Sequence, residues 1–126
     1  MDHTTNSLNW FEIPATDLSR SQKFYETIFD IKMQTMEMGA IKMALFPMAP
    51  GSGKANGGVA QSPNHKPGMT GTIVYLNANP AMDNVLDKVE AAGGKILSAK
   101  MNIGGNGFMA FILDTEGNNV GIHSMQ

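Results

Sequence analysis

Cysteine is absent from the 126-residue chain. Its absence excludes disulfide bonds, thiolate metal sites and a cysteine nucleophile. Charged side chains are also few, because nine basic and eleven acidic residues give a net charge of -2. Without a basic field, the chain is predicted to bind neither nucleic acid nor an anionic membrane surface.

Long hydrophobic runs are missing as well. The opening MDHTTNSLNW holds no apolar stretch of the kind that a secretory signal needs. No window approaches the roughly 18 apolar residues of a membrane span. We therefore expect a cytoplasmic protein with no membrane partner. Hydrophobic residues nevertheless make up 42% of the chain, which is enough to bury the core of one domain.

The residues that are present form one pattern twice. The elements predicted for the first half are a strand at 8–13, a helix capped by Thr16 or Asp17, hairpin strands at 31–38 and 41–46, and a short strand around Val59. Those predicted for the second half are a strand at 72–76, a helix opened by Pro80 and ended by Gly93-Gly94, a strand at 95–101, and hairpin strands at 108–113 and 119–123.

This repetition predicts one α+β domain over residues 1–126. It consists of two βαβββ modules, at about 6–62 and 70–126, joined by a linker at about 63–69. A single module has helix on only one face of its sheet and cannot bury itself. Two modules side by side are expected to form a curved mixed sheet, with helices on the convex face and a cleft on the concave face.

The residues carrying this pattern resemble a known family. NWFEIPATDLSRSQKFYETIFD, GGKIL and GFMAFILDTEGNNVGIHS look like the opening and closing elements of vicinal-oxygen-chelate proteins, the group of glyoxalases, bleomycin-resistance proteins and extradiol dioxygenases. The resemblance spans nearly the whole chain and is weakest from Gly51 to Met69. It implies a small-molecule cleft, and a homodimer is expected because dimerisation is common in such proteins.

The same resemblance implies where a divalent metal would be held. Enzymes of this family use His, Gln or Glu side chains from the first and last strands of each module. Those positions fall here on Trp10, Thr72 and Gly121, with Glu12 and His123 one pleat further along their strands, while the first module's last strand reads GGVAQ and ends at Gln61. Tryptophan and glycine cannot ligate a hard cation, so no cofactor is predicted. A divalent metal would need Glu12 and His123.

Glu12 and His123 are the candidate catalytic residues, because strand alternation places both on the cleft face. A carboxylate beside an imidazole could act as an acid–base pair or as part of a shifted metal site. Each could equally make one hydrogen bond at the cleft wall. His65, in the turn-rich SPNHKPG, is expected to be solvated, and His3 lies in a terminal segment expected to fray.

Ligand-binding side chains are expected on the same concave surface. The predicted set is Trp10, Thr72, Val74, Phe108 and Gly121. Trp10 could stack on a planar or cationic ligand, or simply fill the cavity. The methionines concentrated in the first hairpin are interpreted as ordinary core packing rather than as an adaptable ligand wall.

Two glycine-rich loops and one turn carry no predicted site. In PGSGKA the phosphate-loop pattern fails at Met48 and Ala55, and NIGGNG precedes a strand rather than a helix. The residues DTEGN predict a turn in which Asp114 and Asn118 satisfy backbone groups and Gly117 supplies a positive φ.

Two functions remain open at this point. The first is a small-molecule-binding protein that lacks the usual metal site. The alternative is a metal-dependent or acid–base lyase, isomerase or dioxygenase-type enzyme using Glu12 and His123. An accessory interaction module ranks last, since burying Glu12 without a partner would be costly.

Overall fold

A computed structural model describes all 126 residues of the chain. Its elements follow the predicted order, strand, helix and three strands, twice. They are β1 (Trp10–Pro14), α1 (Leu18–Phe29), β2 (Gln34–Met38), β3 (Ile41–Leu45), β4 (Asn56–Gln61), β5 (Tyr75–Asn77), α2 (Asp83–Val89), β6 (Lys95–Asn102), β7 (Phe108–Leu113) and β8 (Asn119–Ser124), with a short 3-10 turn at Gly104–Asn106. The α+β fold of two βαβββ modules is therefore confirmed.

Each module forms a mixed four-stranded sheet of its own. The first sheet has the strand order β1-β4-β3-β2, and the second has the order β5-β8-β7-β6. In each, the first strand pairs parallel to the last and the remaining pairs are antiparallel. In one detail the structure differs from the expected single curved sheet, because no ladder joins β1 to β5. Side chains, rather than backbone hydrogen bonds, connect the two inner edges.

Several element boundaries also differ from the sequence prediction, and β2, for example, begins at Gln34 instead of residue 31. The strand expected from Thr72 is paired only over Tyr75–Asn77, because the residues before it turn towards the space between the modules. The helix expected from Pro80 begins at Asp83. The Met82 amide donates to the Gln126 carbonyl, and a single turn closed by the Asn84 amide and the Ala81 carbonyl leads into the helix.

Both helices cover one side of the sheets, and a single apolar core lies between them. Its largest fully buried side chains are Phe24, Tyr25 and Ile28 of α1, with Ile112 and Ile122 of the second sheet. Because α1 packs on α2 and both modules supply this core, neither module buries its apolar face alone. The buried apolar area is the main term that holds the halves together.

A polar cluster also ties the modules together where α1 begins. The Glu116 carboxylate accepts hydrogen bonds from the backbone amides of Thr16 and Asp17 at 2.9 and 2.8 Å, and from the Arg20 guanidinium at 2.6 and 3.0 Å. The Asp17 side chain caps the same helix through the Arg20 amide. A carboxylate of the second module thus satisfies amides at the start of the first module's helix.

Beneath this cluster, Asp114 joins the same two modules. Its Oδ2 accepts from the Tyr25 hydroxyl at 2.7 Å and from the Asn118 amide group, while its Oδ1 accepts from the backbone amides of Glu116 and Asn118. Asn118 in turn donates to the Pro14 carbonyl on β1. Gly117 has a φ of 90°, so the predicted turn chemistry of DTEGN is confirmed, and the turn also acts as an inter-module bond.

The helices are too short or too polar to span a bilayer, since none holds a membrane-length apolar segment.

Candidate functional site

The face of β1 that turns away from the helices carries two of the predicted site residues. Phe11 and Ile13 pack towards the helices, with Ile13 at 4% exposure, whereas Trp10 and Glu12 lie on the other face and Trp10 is 41% exposed. This alternation follows from the two-residue period of a strand. Neither Trp10 nor Glu12 points beneath the helices, so both remain available to a ligand.

The imidazole partner of Glu12 is His65, which was predicted from the sequence to be solvated. Its Nε2 lies 2.6 Å from Glu12 Oε2, and its Nδ1 lies 2.6 Å from the Ser62 hydroxyl. The His65 side chain is only 17% exposed, against 34% for Glu12. The segment after β4 thus folds back across the first strand, and three polar side chains form one connected chain.

His123, the partner expected for Glu12, has a different contact. Its Nε2 donates to the Asn106 carbonyl at 2.7 Å and so anchors the 3-10 turn between β6 and β7. It lies on β8 in the second sheet, opposite Asn77 of β5. The predicted Glu12–His123 pair is not formed, because the two strands belong to separate sheets and a loop residue reaches Glu12 instead.

A cleft of about 390 Å³ separates the two modules. Its lining residues come from β1, from the 66–74 segment and from the start of β8: Glu12, Ile13, Pro14, Lys66, Pro67, Gly68, Thr70, Thr72, Val74, Asn118, Asn119 and Val120. Ile13 and Val120 border the cleft, but they are almost fully buried, at 4% and 2% exposure, and belong to the apolar core. Most of the other lining residues are polar or glycine.

Two oxygen acceptors on residues that line this cleft lack hydrogen-bond partners within the chain. Asn119 Oδ1 is buried and unbonded, and Glu12 uses only Oε2, leaving Oε1 free. One acceptor comes from each module. Thr70 and Thr72, whose hydroxyls make no hydrogen bond to protein, lie at the exposed side of the same cleft. The cleft therefore offers acceptors that a ligand with N–H or O–H groups could satisfy.

The predicted ligand-binding residues fall in different places. Thr72 and Val74 line the cleft, whereas Trp10 lies two residues from Glu12 on the same face of β1 without lining it. Gly121 lies under the Tyr75 ring, whose nearest atom would be 2.5 Å from an added Cβ. Glycine is therefore required there for packing.

Phe108 lies on the helix-facing side of the second sheet, contrary to the prediction. It pairs with the buried Ser124 and packs against the core, and the Lys100 ammonium lies 4.5 Å from its ring centre. The aromatic side chains on the concave face of the second sheet are instead Tyr75 and Phe111, whose ring centres are 5.7 Å apart. FMAFIL is apolar throughout, so alternation could not fix which of its residues face the cleft.

The residues present do not fit the metal site that the family resemblance implies. No group of three or more His, Asp or Glu side chains converges anywhere in the chain. The first-strand position carries an indole, and the last-strand position carries a glycine covered by Tyr75. Glu12 and His65 provide two donor groups that already bond to each other, and a stable site needs at least a third.

The fold is similar to that of solved glyoxalase structures. Glyoxalase I from Zea mays matches 92% of this chain with a TM-score of 0.66 and 19% identity, the chain covering 45% of that protein. A glyoxalase/bleomycin resistance protein/dioxygenase family enzyme from Burkholderia phytofirmans matches 96% of this chain and 100% of its own, with a TM-score of 0.67 and 17% identity. Both likenesses define the architectural class, paired βαβββ modules around a cleft.

Sequence comparison identifies the family. The sequence model of the Glyoxalase/Bleomycin resistance protein/Dioxygenase superfamily matches residues 7–122, and the chain belongs to that superfamily. CFP32 of Mycobacterium tuberculosis, which carries the name of a glyoxylase, is 31% identical over 90% of this chain, and the chain spans 44% of its length. A glyoxylase-like domain-containing protein of Didymella fabae is 35% identical over 88% of both chains.

Proposed function

We propose that the cleft between the modules binds a small organic molecule that presents hydrogen-bond donors, without a resident metal ion. The observation that carries the proposal is the pair of unpartnered acceptors, the buried Asn119 Oδ1 and Glu12 Oε1, which belong to residues that line one cleft from two modules. A ligand with ammonium or hydroxyl groups would supply what both oxygens lack. The family scaffold supports a small-molecule occupant.

The buried Asn119 oxygen gives an energetic reason for this proposal. Leaving a buried acceptor unsatisfied costs about 1–3 kcal/mol, and nearly all buried polar groups in folded proteins are paired. Asn119 opens β8 next to the apolar Val120, where a leucine would avoid this cost. We therefore infer that the asparagine at this position serves ligand binding.

Replacing Asn119 by leucine should have opposite effects on folding and binding. We expect the free energy of unfolding of the variant to equal that of the wild type or to exceed it by up to about 1 kcal/mol, because the unpaired acceptor is removed. The affinity for a cleft ligand should fall about tenfold or more, because one good hydrogen bond is worth roughly that factor. Chemical denaturation and titration calorimetry would measure the two quantities.

A ligand for this titration would be identified by a ligand-observed NMR screen of small amines, polyols and carboxylates. Asn84→Leu provides the matched control, because Asn84 is an exposed residue of α2 outside the cleft. Loss of stability in Asn119→Leu together with unchanged affinity would mean that Asn119 serves folding alone. That outcome would remove the main support for the proposal.

The alternative, a lyase, isomerase or dioxygenase-type enzyme that uses Glu12 and His123, has less support. The two side chains bond to separate partners, and His123 holds a turn through a backbone carbonyl. Full retention of any cleft activity in His123→Ala, with loss in Glu12→Gln, would separate the roles of the two residues.

We further propose that the chain forms a homodimer through its outer sheet edges. The edge strand β2 exposes Met36 and Met38 at 39% and 61%, and the other outer edge, β6, exposes Leu97 and Met101. Exposed apolar edges favour association.

Sedimentation velocity should therefore give twice the 13.5 kDa chain mass, and Met38→Glu should shift the population to monomer. A Lys23→Glu change on α1 is the control, and a wild-type monomer at high concentration would contradict the proposal.

A further inference from the structure

A second pocket of about 480 Å³ lies beside the cleft, behind the His65–Glu12 pair. Ser62 and His65 line it, together with Lys42 and Lys66, while Glu12 lines the neighbouring cleft. No aspartate or glutamate lines this second pocket. The hydrogen-bonded chain from Ser62 through His65 to Glu12 therefore runs from the second pocket into the wall of the cleft.

The direction of the hydrogen bonds in this chain follows from the chemistry of its members. An ionised carboxylate only accepts, so His65 Nε2 must carry a proton and donate it to Glu12 at 2.6 Å. In the neutral imidazole, Nδ1 then holds the lone pair. The Ser62 hydroxyl must consequently donate to Nδ1 across 2.6 Å. Its oxygen keeps a further acceptor site, which the Asn64 amide fills at 3.1 Å.

We propose that Ser62 is a nucleophile and His65 its general base in an acyl-transfer site that hydrolyses small esters. Ser62 Oγ bonds to the ester carbonyl carbon while its proton passes to His65 Nδ1. That proton then goes to the leaving alkoxide oxygen as the ester C–O bond breaks. Water next attacks the acyl-serine, gives its proton to Nδ1, and the carbon–Oγ bond breaks as the proton returns to Oγ. The balance is ester plus water to acid plus alcohol.

Glu12 acts through His65 and is a positioning residue in this scheme. Its carboxylate fixes the tautomer that leaves Nδ1 free and stabilises the imidazolium that forms when Nδ1 takes the serine proton. This arrangement of hydroxyl, imidazole and carboxylate is the activation that nucleophilic serines require, since a serine hydroxyl at its ordinary pKa reacts slowly.

The pocket lining defines the class of ester. Lys42 and Lys66 supply two positive charges, and alanine and proline side chains provide the apolar surface. An ester whose acyl part carries its own carboxylate would therefore be preferred over a neutral one of equal size. An ammonium group on the pocket wall can also stabilise the oxyanion that forms at the carbonyl.

The first test uses a fluorophosphonate probe, whose reaction does not depend on knowing the substrate. We expect one adduct per chain, located on the Ser62 peptide by mass spectrometry and absent from Ser62→Ala and His65→Ala. Ser52→Ala is the matched control, because Ser52 accepts from the Lys54 amide in the same kind of turn but contacts no imidazole. An unlabelled Ser62 in folded wild-type protein, or labelling that survives in His65→Ala, would overturn the proposal.

The second test measures hydrolysis, above the rate without protein, of the p-nitrophenyl monoester of terephthalic acid, whose carboxylate cannot reach its own ester, and of the similarly sized p-nitrophenyl benzoate. We expect the anionic ester to react faster, and Ser62→Ala to lower kcat about 100-fold or more, with Ser52→Ala unchanged. In Glu12→Gln, kcat should fall about tenfold or more with little change in KM, which loss of packing alone would not produce. Hydrolysis that persists in Ser62→Ala would contradict the nucleophile assignment.

The esterase site and the ligand-binding cleft can fail separately. Ser62→Ala should leave cleft ligand binding intact, because Ser62 does not line the cleft, and Asn119→Leu should leave hydrolysis intact, because Asn119 does not line the second pocket.

Discussion

Replacing Asp114 by alanine is expected to lower the free energy of unfolding by about 3 kcal/mol or more. Asp114 is 3% exposed and accepts four hydrogen bonds, so its removal leaves buried donors unpaired. The most costly of these is the Tyr25 hydroxyl, which is fully buried on the other module. Burial, followed by the negative charge of Asp114, raises the pKa of Tyr25 well above its ordinary value, so the hydroxyl remains a donor.

Two milder variants test which of the hydrogen bonds of Asp114 stabilise the fold. Asp114→Asn keeps an oxygen for the two backbone amides of the turn but gives up the acceptor for Tyr25. Tyr25→Phe removes the same contact from the other side. Urea denaturation of both variants and of the double variant should give a coupling energy of about 1 kcal/mol or more. Additive effects would contradict the assignment of this contact as the bond between the modules.

The Glu116→Gln variant is expected to change the acid sensitivity of the protein. Burial raises the pKa of Glu116, but the hydrogen bonds from Arg20 and the Asp17 amide, together with the charge of Arg20, outweigh burial and hold that pKa below its usual 4.5. Because the folded-state pKa is lowered, the carboxylate stabilises the fold fully above pH 4.5. This contribution is lost as the pH falls through the lower folded-state value.

The free energy of unfolding of the wild type should therefore exceed that of Glu116→Gln by about 1–2 kcal/mol at pH 7. The difference should shrink as the pH falls below 4.5. The expected difference is small because the Arg20 side chain is 52% exposed and its charge is screened by solvent. Glu90→Gln is the control, since Glu90 makes no side-chain hydrogen bond or ion pair. A difference that stays constant from pH 7 to pH 3 would show that the charge of Glu116 does not matter.

The sequence predicted the fold well because its signals were local. The capping carboxylate of Asp17, the alternation of Trp10 and Glu12 with Phe11 and Ile13, and the turn at DTEGN each depend on neighbouring residues only. The repeated order of elements then predicted two modules. The sequence could not predict that β1 and β5 do not pair through backbone hydrogen bonds, because strand pairing between sheets has no signature within a single strand.

The candidate site was predicted less well because it depends on long-range placement. His65 lies 53 residues from Glu12 in sequence, and nothing in SPNHKPG indicates that its imidazole returns to the first strand. One signal was available, since Ser62 and His65 are three residues apart in a turn-forming stretch, a spacing that allows a side-chain contact. Asn119 was missed because an asparagine beside a turn is ordinarily explained by the turn itself.

The role of Glu116 was missed for a related reason. The turn in which it lies was predicted correctly, but its side chain reaches α1 of the other module. As a result, the polar bonds that hold the two modules together border the cleft that lies between them, since Asn118 belongs to both. We expect the stability of this junction and the shape of the cleft to be coupled.

The most direct test of the account is an NMR titration of chelator-treated protein with donor-bearing compounds, amines and polyols, in the absence of added metal. The account predicts that at least one compound binds and shifts the amide signals of Val74, Asn119 and Val120, and that the shifts are lost in Asn119→Leu. Binding that appears only after Zn²⁺, Ni²⁺ or Mn²⁺ is restored, or shifts confined to residues outside the cleft, would contradict it.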